Sequence, residues 1–313
     1  MSFRFSKRIQ QLQKEILKLK EAEDIFLMAH YYQRPEIQAI ADVLGDSLGL
    51  SRTAQKMAKS ETIVFAGVKF MAETASILNP KKSVYIPDID AECPMAQMCP
   101  ASVVIAMKQQ YNYPVVLYVN TLAEAKAQAD IMCTSANAIK ICQSLKTDSI
   151  IFGPDWNLGW HVQWKTGLKI IPIPEHGYCY VHRKFVPEDF LQLKQKYPEA
   201  LITVHPECSP EVQKLADHVG STEQIKKFII SSDRKDFIIG TEVGLEFAIR
   251  KDGGQQKNLH FAREDAACLM MKLITLEKIR DLMKNKPVAN LVKVPEEIAN
   301  GARKSIQRML DQS

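Results

Sequence analysis

No stretch of this chain stays apolar for the roughly 20 residues that a membrane-spanning helix requires, which excludes such a helix. No two cysteines form a C-x-x-C pair, so the ligand spacing of a zinc ribbon is missing. There is no basic tract and no aromatic-rich RNA motif, and the formal charge of +5 is scattered. That argues against nucleic acid as a partner and slightly favours small anionic substrates. The opening segment MSFRFSKRIQQLQKEILKLKEAED has no apolar core of the kind a secretory signal carries; it is charged and helix-patterned. The expectation is a soluble, cytoplasmic protein with no membrane contact. Cysteine is odd in number, 7 in 313 residues, which points to reduced thiols or metal ligands rather than to a disulfide framework.

What is present is a rhythm. Three stretches end in a cysteine at nearly equal intervals: VYIPDIDAEC at Cys93, KIIPIPEHGYC at Cys179 and NLHFAREDAAC at Cys268, separated by 86 and 89 residues. Other markers keep the step. Ala41-Asp42, Ala129-Asp130 and Ala216-Asp217 lie 88 and 87 apart, each followed five residues after its Asp by Ser47, Ser135 or Thr222. Gly67, Gly153 and Gly240 close apolar runs at steps of 86 and 87, and His30, Tyr118 and His205 align at 88 and 87. Two places later this alignment puts Tyr32, Asn120 and Glu207 in register. A unit of about 87 residues repeated three times is the simplest account. If the units close around a pseudo-threefold axis, equivalent residues converge on it. Three thiolates there offer a metal cluster three protein ligands and one open site, where substrate can bind.

Each unit alternates short apolar runs with amphipathic helical stretches, the pattern of α/β architecture. The predicted fold is three pseudo-threefold-related repeats, each a small parallel sheet flanked by helices, around a central cluster site. In the first unit strands are expected near 25–29, near Val43, and over 62–66 and 83–86. Helical stretches are expected to begin near Phe70, Trp156 and Val243, and others to span 101–110, 187–196 and 275–284. The organisation is then an N-terminal helix over 1–23, repeats over 24–112, 113–199 and 200–289, and a C-terminal helical tail over 290–313. The lead and the tail fall outside the repeat and clasp the exterior. The in-phase polar residues sit at the carboxyl ends of strands, where open parallel sheets bind ligands.

The segments AHYYQ (29–33), GDSLGLS (45–51), FAGVKFMAETASILNP (65–80), PDIDAEC (87–93), YVNT (118–121), GPDWNLG (153–159), CYVH (179–182), HPEC (205–208), ADHVGST (216–222), TEVGLEF (241–247) and MKLITLEKI (271–279) resemble the quinolinate synthase family, in order and over nearly the whole chain. The resemblance implies a cytoplasmic enzyme of NAD biosynthesis with three pseudo-symmetric α/β domains and one 4Fe-4S cluster per chain. It implies condensation of iminoaspartate with dihydroxyacetone phosphate to quinolinate, with loss of phosphate and two waters, and functional coupling to an L-aspartate oxidase. The chain departs from the commoner family pattern at Pro94 and at Leu269-Met270, beside two of the cysteines.

Phase and resemblance together select Cys93, Cys179 and Cys268 as metal ligands, although a single cysteine is by default a buried, inert thiol. Cys133 and Cys142 have no in-phase partners and read as core; Cys99 and Cys208 lie near motifs but also stand alone. Zinc is the competing metal. Glu207 is the leading general base or acid, against the bland role of a charge opening a helix. His30, His182 and His205 are candidates for binding anions and moving protons, His182 least distinguishable from a satisfied structural histidine. Asn120 suits a substrate carboxylate; Ser47, Ser135 and Thr222 suit an anion clamp at helix starts or plain helix caps. By the resemblance, Tyr32 and Tyr118 are active-site phenols. The catalytic set is therefore Glu207, Tyr32, His205 and Tyr118. A non-catalytic iron–sulfur sensor and a hydro-lyase are the alternative classes, and the first would not need the polar ring.

Overall fold

The computed structural model describes residues 3–56 and 60–313. Three four-stranded sheets follow one another along the chain, every strand pair parallel. The first contains β1 (Ile25–His30), β2 (Val43–Gly45), β3 (Thr62–Ala66) and β4 (Ser83–Tyr85). The second contains β5 (Val115–Tyr118), β6 (Ile131–Cys133), β7 (Ser149–Gly153) and β8 (Lys169–Pro172). The third contains β9 (Leu201–Val204), β10 (His218–Val219), β11 (Asp236–Gly240) and β12 (Asn258–Phe261). In each, the second strand in sequence lies at an edge and the first lies between the second and third. Strands covered by helices on both faces need apolar side chains on both, hence the unbroken runs IFLMAH, SIIFG and DFIIG.

The register repeats as closely as the order. Ala29 pairs with Ala66, Leu117 with Gly153, and Val204 with Gly240. The structural counterpart of Gly153 and Gly240 is thus Ala66, one residue before the Gly67 that the sequence pattern selects. The in-phase aspartates have a shared structural task. Asp42, Asp130 and Asp217 each accept through Oδ2 from the backbone N–H fifteen residues back, at Leu27, Val115 and Ile202, over 2.7, 2.8 and 2.8 Å. Each also donates its own N–H to that residue's carbonyl. The aspartate locks the edge strand's entry against the central strand in every unit.

Lys20 Nζ reaches Asp42 and the Ile40 carbonyl, and Lys108 Nζ reaches Asp130 and the Gln128 carbonyl. The N-terminal helix Lys7–Ala22 therefore stands to the first sheet as Ala101–Gln110 stands to the second, which brings the lead into the repeat pattern instead of outside it. Each later helix of this type passes its unit on to the next: Ala101–Gln110 packs on Ala123–Gln128, Pro187–Lys196 on β11, and Leu276–Asn285 returns to Lys7–Ala22 and β3. The ring closes there. The tail helix Glu296–Asp311 lies across Ala123–Gln128 and β6, with Gly301 so near Ala127 that a Cβ would sit 2.9 Å from its Cβ. No helix among the described residues is long and apolar enough to cross a membrane.

The three cysteine loops are pinned alike. Lys69, Trp156 and Val243 donate their N–H groups to the carbonyls of Ala91, Gly177 and Ala266, each two residues before its cysteine. Only glycine fits in the second loop, because a Cβ on Gly177 would meet the Pro154 carbonyl oxygen at 1.8 Å. Past each cysteine a short helical turn begins: Pro94–Gln97, the 3₁₀ turn His182–Lys184 and Leu269–Lys272. Pro94 falls at the first helical position, where its fixed φ and missing N–H cost nothing. Leu269 points largely to solvent, so its departure from the family pattern leaves the loop intact.

Asp217→Ala removes a charge-assisted bond to a backbone N–H and should lower unfolding free energy by about 1.5–3 kcal/mol. An unchanged denaturation midpoint would show that the clamp carries no stability.

Candidate active site

The three sets of carboxyl-end loops meet in one central cavity of about 60 Å³. Cys93, Cys179 and Cys268 line it, one from each unit, and all three are free thiols. So do His30, Tyr32, Ser47, Tyr118, Asn120, Ser135, His205, Glu207 and Thr222. His182 does not line it; it stands behind the wall. Cys99, Cys133, Cys142 and Cys208 are buried in the surrounding cores, away from the cavity.

Glu207 is the centre of the polar network. Tyr118 Oη donates to its Oε1 at 2.7 Å, and His182 Nδ1 lies 2.7 Å from its Oε2. Its backbone is held as firmly, Asn157 donating to its carbonyl at 2.9 Å while buried Gln213 donates to the Pro206 and Cys208 carbonyls on either side. Burial raises the carboxyl's pKa, but the imidazoles of His205 and His182 and the hydrogen bonds from His182 and Tyr118 outweigh it and bring the group below the usual range. Glu207 is therefore the ionised member. The same charge, after burial itself, keeps the phenols of Tyr118 and Tyr32 well above their ordinary pKa, so both remain hydrogen donors.

Two in-phase histidines share one tautomer. His30 Nδ1 accepts the Tyr32 N–H at 3.1 Å, and His205 Nδ1 accepts the Glu207 N–H at 3.3 Å. A ring nitrogen that accepts carries no proton, so each ring is held with its proton on Nε2. That of His205 faces Ser135 Oγ at 3.2 Å. Burial pushes His30 and His205 down to about 3, Lys272 adding to the effect at His30 while Glu207 opposes it at both. Both are neutral at physiological pH, with an N–H to offer.

The hydroxyl positions are freed by their predecessors. Asp46 Oδ1 accepts the Gly49 N–H at 2.9 Å, and Ser221 Oγ accepts the Gln224 N–H at 3.3 Å; these are the helix caps. In the second unit Asn137 Oδ1 accepts the Thr134 N–H at 2.6 Å, and Thr134 Oγ1 accepts the Ala136 N–H at 3.3 Å, at the same place. Ser47, Ser135 and Thr222 each come one residue later and line the cavity. Asn120 contributes a buried side-chain oxygen with no partner, an amide left open to a ligand.

Several contributors were not singled out from sequence. Thr241 Oγ1 lies 3.0 Å from both His182 Nε2 and Tyr32 Oη, linking the buried histidine to a cavity phenol. Glu242 accepts the Cys268 N–H at 3.0 Å and pairs with Lys272 at 2.9 Å. Tyr180 Oη accepts the Leu269 N–H at 2.6 Å and lies 3.6 Å from Cys268 Sγ. Asp155 caps the helix Trp156–Thr166 with Oδ1 while its buried Oδ2 has no partner, and burial, with Glu207 nearby, raises its pKa well above normal. Thr241 and Glu242 fall in TEVGLEF, which nothing but the resemblance marked.

The donor set fits a metal centre. Three thiols from three units project into one space, close enough for each charge to act on the others, and burial raises Cys93 to about 12 and Cys179 and Cys268 above normal. Thiols so placed ionise only when a cation is present to receive them. Among the described residues the tightest metal-capable group is Cys179, His182 and Glu207, whose ligand atoms lie within 4.8 Å of one another. Both nitrogens of His182 already have partners there, so an ion on all three would have to break the Glu207 network.

Three parallel α/β units closed around a cavity of thiols, neutral imidazoles, phenols and two buried carboxylates, Asp46 and Glu207, mark a triplicated protein built for chemistry on a small molecule. The chain belongs to the quinolinate synthetase A protein family, a family of enzymes whose pattern matches residues 14–311. The quinolinate synthase of Methanothermobacter thermautotrophicus is 50% identical over 303 residues, covering 96% of this chain and 98% of that one. That of Pyrococcus horikoshii is 48% identical over 303 residues, covering 96% and 99%. That of Methanocaldococcus jannaschii is 48% identical over 301 residues, covering 94% and 97%.

The separation of cap from clamp is measurable in stability alone. Ser221→Ala should cost about 1 kcal/mol or more by removing a helix cap, whereas Ser47→Ala should leave the melting midpoint within experimental scatter. Equal losses in the two variants would return Ser47 to a structural role.

Proposed function

We propose that the protein makes quinolinate for NAD biosynthesis by condensing iminoaspartate with dihydroxyacetone phosphate, releasing phosphate and two waters, at a 4Fe-4S cluster held by Cys93, Cys179 and Cys268. The observation that carries this is the meeting, in one cavity, of one free thiol from each repeat with the Tyr118–Glu207–His182 network. Atoms and electrons balance without an oxidant, since the two substrates together contain quinolinate, one phosphoric acid and two waters. When bound, a cluster with three protein thiolates leaves one iron free to act as a Lewis acid toward a coordinated substrate group.

The chain's own residues supply the rest. Ionised Glu207, oriented on both oxygens, accepts a proton from substrate and returns it to a departing hydroxyl; His182 and Thr241 position it. Tyr118 and Tyr32 present phenolic protons that burial keeps in place. His30 and His205, neutral with the proton on Nε2, donate to anionic oxygens and lose nothing to bulk water. Ser47, Ser135, Thr222 and Asn120 receive carboxylate or phosphate oxygens, helped by free N–H groups at the helix starts. The protein works in the cytoplasm and takes its unstable substrate from an L-aspartate oxidase. An oxygen-responsive iron–sulfur sensor would have no use for this ring of proton donors, and a hydro-lyase would have no need of a phosphate ester.

Anaerobic purification with iron and sulfide counts, followed by turnover with dihydroxyacetone phosphate and freshly generated iminoaspartate, tests the proposal. Cys93→Ala, Cys179→Ala and Cys268→Ala should each lose stable cluster and activity, whereas Cys133→Ala and Cys142→Ala should keep both. A fully clustered, active Cys179→Ala protein would sink the ligand assignment. Glu207→Gln should retain the cluster's brown absorption while turnover drops about 100-fold or more; activity lost only in proportion to iron would reassign Glu207 to metal binding. Ala at Ser47, Ser135 or Thr222 should spare the cluster and weaken quinolinate binding by about one to two powers of ten each, the worth of a hydrogen bond to a charged group.

A further inference from the structure

Outside the central cavity, across the loops that carry Ser47, Ser135 and Thr222, runs an open groove bounded by all three repeats. The wall between them is one loop thick. Asp46 borders both spaces, and its neighbours alternate: Ser47 faces the cavity and Gly49 the groove, Thr222 the cavity and Ser221 the groove. Contacts stitch this wall across unit boundaries: Ser221 Oγ donates to Asp46 Oδ2 at 2.9 Å, Gln224 Nε2 to the Ala136 carbonyl at 3.3 Å, Tyr31 Oη to Glu223, and Lys226 Nζ to Tyr31 Oη at 2.9 Å.

Three exposed cations border the groove: Arg52, Lys140 and Lys227. They stand five residues after Ser47, Ser135 and Thr222, so they keep the repeat's steps of 88 and 87. Each lies on the helix that opens beside its hydroxyl: Ser47–Lys56, Ala138–Ser144 and Thr222–Ser231. A pseudo-threefold set of hydroxyls on the inner side of the wall is thus matched by a pseudo-threefold set of positive charges on the outer side. Of the acids in the groove, Asp46 is buried and bonded to Ser221 and Gly49, and Glu223 is taken up by Tyr31, Lys226 and Lys227, which offsets one member of the set. Arg52 and Lys140 have no acidic partner among the described residues and leave two positive charges at a groove that backs onto the cavity.

We propose that Arg52, Lys140 and Lys227 form an outer docking ring that gathers a small phosphate or carboxylate anion at the groove, from which it passes inward between the loops stitched by Asp46–Ser221. This rests on the proposed function, which makes both substrates anionic, and the ligand class is a small phosphate monoester or dicarboxylate. Opening the wall parts the Asp46–Ser221 and Gln224–Ala136 contacts together with those of Tyr31 to Glu223 and Lys226 and of His205 to Ser135. Cations around a concave surface raise the local concentration of anions by tenfold or more, and salt removes the effect.

The test uses the reconstituted holoenzyme and a triple variant, Arg52→Gln with Lys140→Gln and Lys227→Gln. These exposed side chains touch neither cluster ligands nor the residues assigned to chemistry. At low ionic strength kcat/KM for dihydroxyacetone phosphate should fall about tenfold with kcat and iron content unchanged, and the two proteins should converge as salt approaches about 1 M, where the Debye length is near 3 Å. The single Lys227→Gln change should have the smallest effect, because Lys227 already shares Glu223. Equal kcat/KM at low salt, or identical salt dependence, would overturn the ring. Should the wild-type protein show no turnover, the functional proposal falls separately, and calorimetric titration with inorganic phosphate at low salt still decides the ring: at least tenfold weaker binding by the triple variant supports it, and equal binding refutes it.

Discussion

A carboxylate held away from water has to be met by donors, and the centre of this protein is organised by that requirement at Glu207. Its two oxygens take Tyr118 from the second sheet and His182 from the turn after Cys179. Its carbonyl takes Asn157, and its loop is tied by Gln213, itself oriented by His161 at 2.7 Å. An unpaired buried charge would cost several kcal/mol, so these donors cannot be loosened one at a time without penalty. The second and third units are thereby fastened to each other around the carboxylate. Cys179 sits on the same fastened segment, three residues before His182, so whatever fixes the Glu207 carboxylate also fixes that thiol.

Threefold repetition of the scaffold does not give threefold chemistry. The clamp aspartates, the strand register and the bonds to Ala91, Gly177 and Ala266 are alike in all units because they solve one backbone problem, the exit from a parallel strand. At the ligand-facing positions the units differ: His30, Tyr118, His205 in one ring; Tyr32, Asn120, Glu207 in the next. A symmetric ring would place three like groups about the axis, and three carboxylates there would repel. Only Asp46 and Glu207 bring carboxylates to the cavity, and each is already met by donors, so the ring escapes that repulsion. Diverged side chains on a repeated frame turn an axis into a cavity with chemically distinct walls.

Much of the fold was legible because it is written in local, periodic chemistry. The strand 62–66 and the helices 101–110 and 187–196 fall where apolar runs and amphipathic spacing put them. Phase also brought the cavity residues together, since equal spacing means equal place in the unit. It failed where equality is broken by one residue. Gly67 mimics the glycines of the other units, yet Ala66 is the true equivalent, because strand register and not residue type sets correspondence. The lead helix was set outside the repeat because its sequence shares only Lys20 with its counterpart, and that contact is visible only in three dimensions.

The least legible part is the layer behind the cavity, and the reason is physical. Thr241 acts by a hydrogen bond to His182 in another unit, and Glu242 reaches Cys268 and Lys272, 26 and 30 residues further along its own unit, with no periodicity to announce them. Glu242 shows why such a layer exists. Its carboxylate fixes the Cys268 N–H and the Gly244 N–H, and burial raises its pKa even though Lys272 beside it opposes the rise. Lys272 in turn stands on the turn that Cys268 begins, so ligand loop, counter-charge and carboxylate form a closed loop of mutual support. Remove any one and a buried polar group is left unmet, which makes the position of Cys268 depend on residues that never touch the cavity's contents. The same logic runs through His182 and Thr241 to Glu207. Two of the three cysteine loops thus carry buried polar networks of this kind, whereas the loop before Cys93 is tied by Asp88, which accepts the Asp90 N–H and pairs with Lys278, and it passes into a proline-started turn. Three different sets of contacts thereby bring one thiol from each unit to the wall of a single cavity.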